Sequence, residues 1–121
     1  MKDDRAIVFA GPPGCGKFHA ARQVGARAGR FVEIDAERLG SVFQSWLCDD
    51  VASVIVDGLP NERVMKSVLP WLTHGFMQVE KKGREPSVVR SPNFIFCTDD
   101  LDAARHLNPR VFRVIWMGLS K

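Results

Sequence analysis

Short apolar runs alternate with amphipathic stretches along this chain. RAIVFA (5–10) is continuous and apolar, which predicts a buried first strand. GPPGCG (11–16) breaks it as a loop, and an Ala-rich helix is expected over 17–28, ended by Gly29. RFVEI (30–34) reads as a second strand, and Asp35 as the cap of a helix running to about residue 47. VASVIV (51–56) is continuous and β-branched, which predicts a central third strand stopped by DGLP. Residues 61–74 carry a helical pattern in which Pro70 predicts a kink or an early stop.

The pattern then changes. FMQVE (76–80), KKGR (81–84) and PSVVR (86–90) predict a hairpin with Gly83 in its turn. NFIFCT (93–98) predicts another buried strand, DDLDAARHL (99–107) a short helix and RVFRVIWM (110–117) a last strand. This order predicts an α/β fold: a mainly parallel five-stranded sheet flanked by helices, with a β-hairpin inserted before the penultimate strand. No repeat or low-complexity linker interrupts it, so residues 1–121 read as a single domain.

Composition narrows the class. Hydrophobic residues make up 45% and charged residues 26%, which excludes a disordered chain. Cys15, Cys48 and Cys97 show no C-x-x-C spacing, which argues against a disulfide framework or a zinc site and for a reducing compartment. No apolar run approaches the ~18 residues of a membrane span. MKDDRAIVFAG at the start is too acidic, and its apolar stretch too short, for a signal peptide. A cytoplasmic or nuclear location without membrane association is expected. A net charge of +3 leaves polyanion binding open without demanding it.

The loop carries the chemistry. Gly11, Gly14, Gly16 and Lys17 fit G-x-x-x-x-G-K, between a predicted strand and a predicted helix. Glycines let backbone N–H groups converge on phosphate oxygens, and the helix N-terminus adds positive potential. Pro12, Pro13 and Cys15 complete the loop, and Lys17 would reach the β- and γ-phosphates of ATP. Phe18 stands where the motif has Ser or Thr, whose hydroxyl ligates Mg²⁺. A water can take that place, because Mg²⁺ keeps several waters. VIVDG (54–58) ends the third strand on Asp57, a Walker B-like carboxylate for the magnesium shell. A second acid often follows it, and here that position is Gly58.

These residues resemble the superfamily-3 helicase domain of the replication initiator (Rep) proteins of small circular single-stranded DNA viruses. GPPGCGK (11–17) is similar to its Walker A loop and VIVDG to its Walker B strand, at a compact spacing that suits the superfamily. VEKKGREPSVVRSPNFIFCTDD (79–100) resembles the B′ hairpin running into motif C, and RVFRVIWM the closing strand that begins with an arginine finger. The likeness covers roughly residues 5–117. It implies a P-loop NTPase of AAA+/superfamily-3 type that binds ATP and Mg²⁺ and forms a hexameric ring on single-stranded DNA. It implies that Gly11, Gly14, Gly16 and Lys17 hold phosphates and Asp57 holds Mg²⁺. Lys81 and Lys82, helped by Arg84, would grip the DNA backbone. Arg110, or less directly Arg113, would enter a neighbour's ATP site. A nicking domain and a helical oligomerisation segment ordinarily precede this module. Ten residues stand before Gly11 here, and the expectation is a ring that does not form unaided.

Three positions depart from that pattern: Phe18, Gly58 and Asp99, the last where motif C has an Asn. A carboxylate cannot donate a hydrogen bond to phosphate, although Thr98 beside it carries a hydroxyl. Each such loss costs about 10²-fold or more in rate, and losses within one site do not multiply. The sequence therefore predicts nucleotide binding with weakened hydrolysis. The alternatives are a catalytically inactive pseudo-ATPase that binds nucleotide or DNA and associates with a related ring, and a minimal AAA+ domain serving a protein partner. Trp46, Trp71 and Trp116 read as core or interface aromatics rather than stacking platforms. His19, His74 and His106 form no metal pattern.

Overall fold

In a computed structural model of the chain, residues 5–40, 50–79, 83 and 85–118 are described. Five parallel strands form the main sheet in the order β2-β3-β6-β1-β7, and β4 and β5 form a separate antiparallel pair. The strands are β1 (Ala6–Ala10), β2 (Arg30–Asp35), β3 (Val51–Asp57), β4 (Phe76–Val79), β5 (Ser87–Arg90), β6 (Asn93–Thr98) and β7 (Phe112–Trp116). The helices are α1 (Lys17–Ala28), α2 (Glu62–His74) and α3 (Leu101–Arg105). This is the expected α/β architecture with its inserted hairpin.

Both faces of the sheet are covered, which is why β1, β3 and β6 read as near-continuous apolar runs. On one face α1 covers Phe9, Ile55, Ile95 and Cys97 through Ala21, with Phe18 and Val24 at the margin. On the other face α2 and the hairpin bring Val68, Met77 and Val79 against Val8, Val54, Val56, Phe94, Phe96 and Phe112. Ring contacts run through this second core, from Trp71 to Phe94 (6.0 Å), Phe94 to Phe96 (6.3 Å) and Phe96 to Phe112 (6.0 Å). Trp71 is thus a core aromatic, as read from its helical pattern.

Several local expectations change. β3 is interior, but the middle strand is β6, because the later strand inserts between β1 and β3. Asp35 is the last residue of β2, in register with Asp57, and the segment after it opens as a 3-10 helix over Ala36–Gly40. The remainder of the helix expected to about residue 47 lies outside the described residues. Pro70 does not stop α2, which continues to His74. A proline there leaves one backbone carbonyl a turn earlier without its donor, and both Lys66 and Pro70 lie on the exposed side. The predicted last helix shortens to α3, because Asp100 caps it by accepting from the Ala103 N–H at 3.0 Å.

Asn61 caps α2 by accepting from the Val64 N–H at 2.9 Å. Asn61→Ala is expected to lower stability by about 1 kcal/mol, read as a shift in the urea unfolding midpoint. An unchanged midpoint would show that the cap contributes nothing.

Candidate functional site

The carboxyl ends of β1, β6 and β3 lie side by side, and the loops that follow them build one cavity. Ala10 pairs with Thr98, and Asp57 pairs with Cys97. Just beyond, the Gly11 N–H donates to the Thr98 carbonyl (3.1 Å) and the Gly58 N–H to the Cys97 carbonyl (2.7 Å). Both loops are therefore anchored to the last two residues of β6. The cavity measures about 510 Å³ and is lined by Gly14, Gly16, Lys17, Phe18, Asp57 and Asp99 among others. It opens outside the carboxyl ends of parallel strands, where α/β sheets bind ligands.

The loop 11–16 has cradle geometry. Gly14 and Gly16 have φ of +81° and +91°, values that L side chains rarely adopt. Gly16 is the N-cap of α1 and no side chain caps that helix, which leaves its first N–H groups without a side-chain acceptor at the loop. At Gly11 the constraint is space. A Cβ there would collide with the Met117 carbonyl oxygen and lie 2.7 Å from Cys15 Sγ. The Met117 N–H in turn donates to the Ala10 carbonyl at 2.8 Å, so the end of β7 braces the loop.

Lys17 is only 7% exposed although it begins a helix at the mouth of a cavity. Its Nζ donates to the Pro12 carbonyl at 3.4 Å, back across its own loop, and lies 5.8 Å from the Phe18 ring centroid. A buried ammonium needs an anionic or carbonyl partner, and the loop carbonyl supplies one that a phosphate oxygen could replace. Asp57 and Asp99 are exposed at the far side of the same cavity. Thr98 is buried, and its hydroxyl accepts from the Asp100 N–H at 3.0 Å. The hydroxyl proton remains free to be donated elsewhere.

Phe18 lines this cavity and also a second one of about 340 Å³, beside Arg22, Glu33, Asp35, Arg38 and Asp57. Its ring packs against the α1-side core. The side chain thus contributes apolar contact and no oxygen to the cavity. In the second cavity Arg22 pairs with Glu33 at 2.9 Å, and the hydrogen bond and charge of Glu33 hold the guanidinium above its ordinary pKa. The Arg22–Glu33 pair and this second cavity were not visible from sequence, because they depend on α1 crossing the ends of β2 and β3.

Gly58 has a reason of its own. Its φ is +95°, so an acidic side chain at this position would be strained regardless of space. The left-handed backbone favours glycine here, a constraint that the motif comparison alone reads as a missing acid.

Arg110 is exposed and precedes β7, with its backbone N–H donating to Asn108 Oδ1 at 2.9 Å. It therefore lies at the opposite end of the sheet from the cradle and does not join the site of its own chain. Arg113 lies on β7, in register with Ile7. Lys81, Lys82 and Arg84 lie outside the described residues, while Gly83 is in a turn. Among the described residues no group of three or more His, Cys, Asp or Glu is placed to hold a metal, and no helix is long and apolar enough to cross a membrane. Asp57 remains the residue that could hold Mg²⁺, with waters completing the shell.

No protein-family model and no curated protein matches the chain. Solved structures do. An apo structure of the C-terminal region of NrS-1 superposes with a TM-score of 0.71 at 19% identity, over 96% of this chain and 29% of that one. NtrX from Brucella abortus in complex with ATP superposes with a TM-score of 0.62 at 17% identity, over 94% of this chain and 33% of that one. NtrX in complex with ADP gives 0.61 at 19% identity, over 94% and 32%. The chain thus spans a third or less of these relatives' length. The likeness is one of fold: this is a P-loop NTPase fold of the AAA+-like kind.

Cys97 sits beneath the cradle, 1% exposed, with Sγ 3.8 Å from the Lys17 carbonyl. Burial pushes its thiol up to about 12, against the opposing pull of Lys17. The folded value exceeds the ordinary 9.0, so the stability tied to the neutral thiol is complete below pH 9 and is lost as pH rises towards about 12. Cys97 is expected to resist iodoacetamide in the native protein at about pH 8, where a free thiol has appreciable thiolate. Peptide mapping that finds Cys97 labelled at a free-thiol rate would show the site to be open.

Proposed function

We propose that the chain is an ATP-binding module of superfamily-3 helicase type that acts on single-stranded DNA in replication, with weakened hydrolysis. One observation carries the reading: a glycine cradle, a buried lysine and the Asp57 carboxylate converge on a single cavity. That constellation suits a polyphosphate better than any other common ligand, since it offers convergent N–H groups and a cation facing a carboxylate that can carry a metal. NtrX, which shares the fold, was crystallised with ATP and with ADP. The loop and its lysine bind and orient the phosphates. Asp57 holds Mg²⁺, which neutralises charge on the terminal phosphates.

The weakness of hydrolysis follows from the same cavity. Phe18 offers no oxygen to the metal. Gly58 offers no acid to orient a water, and its backbone conformation opposes adding one. Asp99 places negative charge where a donor would serve. These features favour a second reading, a pseudo-ATPase that binds nucleotide and joins a related ring without turnover. The DNA-binding part rests on the hairpin β4–β5 and its cationic turn, Lys81, Lys82 and Arg84, since phosphate contact requires cations with reach rather than a fixed code.

The first test is steady-state ATP hydrolysis with and without single-stranded DNA, together with ATP binding. Lys17→Ala is expected to abolish binding. Wild-type turnover is expected about 10²-fold or more below the typical enzyme rate of about 10 s⁻¹. DNA-stimulated turnover near that typical rate would contradict weakened hydrolysis, and undiminished ATP affinity in Lys17→Ala would sink the cradle assignment. Zero turnover with intact binding selects the pseudo-ATPase.

Lys82→Ala is expected to weaken single-stranded DNA binding and to reduce the slope of log affinity against log salt by about 1. A slope identical to wild type would remove the turn from the DNA contact.

A further inference from the structure

We infer that Trp116 is the stacking platform for the base of the bound nucleotide. The inference rests on the ATP-binding reading and adds the position of the base. β7 is the edge strand beside β1, and Trp116 is the last residue of β7, in register with Ala10, the residue directly before the cradle. Close packing ties this end of β7 to the loop. Met117 hydrogen-bonds Ala10, and a Cβ at Gly118 would lie 2.6 Å from Cys15 Cβ and 3.7 Å from Pro12 Cδ. The Trp116 backbone therefore stands next to the phosphate loop on a braced strand end.

Its exposure is unusual for its surroundings. Ile115 and Met117 pack into the α1-side core, and Phe112 and Val114 join the core on the other face. Trp116 is 42% exposed, one of only three large exposed hydrophobics among the described residues. An indole in this position offers a rigid, flat apolar face on which a base can stack.

Direction selects the base as the group that stacks there. From the cradle the cavity extends over the ends of β6 and β3, to Thr98, Asp99 and Asp57. A metal-holding carboxylate marks the β- and γ-phosphate end of a nucleotide. The nucleoside end then leaves the cradle on the opposite side of β1, where β7 and Trp116 lie. Every base has a π-face, so an indole platform supplies affinity with little discrimination between bases.

The test compares ATP with inorganic tripolyphosphate, which has the same phosphates and no base. Trp116→Ala is expected to weaken ATP binding by about 5- to 100-fold and to leave tripolyphosphate binding unchanged, which also reports an intact cradle. Trp116→Phe should recover most of the loss. GTP should bind the wild type within a few-fold of ATP. If Trp116→Ala leaves ATP affinity unchanged, or weakens ATP and tripolyphosphate equally, the platform is overturned while the cradle stands. Wild-type protein that binds neither ligand, or a Lys17→Ala variant that binds both normally, overturns the ATP-binding reading and the platform with it.

Discussion

Two backbone hydrogen bonds at the end of β6 organise the functional half of this molecule. Gly11 donates to the Thr98 carbonyl and Gly58 to the Cys97 carbonyl, so the loops after β1 and β3 are both tied to the strand between them. The strand ends that lead to the loop and to Asp57 are thereby held two sheet spacings apart across β6, at ~4.8 Å from strand to strand, rather than by flexible connections. The apolar filling of β6 serves this arrangement. Phe94 and Phe96 face one core and Ile95 and Cys97 the other, so β6 is fixed from both sides.

Much of the fold was legible in the sequence because its strands are buried on both faces and its breaks are glycines. β6 and α1 fall where the apolar run and the Gly16–Gly29 interval place them. Strand order was not legible, since a hydrophobic run does not state its neighbours. The segment after Asp35 opens as a 3-10 helix over Ala36–Gly40, with Asp35 itself paired in the β-ladder opposite Asp57, a pairing that a cap residue in the sequence does not announce. Within the site, the glycine spacing identified the cradle, but Gly58 was read by analogy as a lost acid. Only its positive φ shows that the backbone itself requires glycine. The bracing of Gly11 by Met117 had no sequence signal, being a contact between opposite ends of the chain.

Phe18 shows how a residue beside the loop can serve the fold itself. The ring joins an existing apolar cluster and lies at the junction of two cavities. Its carbon surface is favourable in that position, whereas a hydroxyl would serve chiefly a ligand.

Arg110 and the cradle lie at opposite poles of the same parallel sheet, separated by the full length of β7. An assembly in which Arg110 of one copy meets the cradle of another joins these two poles. A two-fold pair does so only if the two sheets run antiparallel, with both poles of each copy in one interface. A single Arg110-to-cradle contact per interface instead repeats from copy to copy until it closes into a ring or runs on as a filament. The choice between those outcomes is then a matter of the rotation per step and not of the chemistry at the junction.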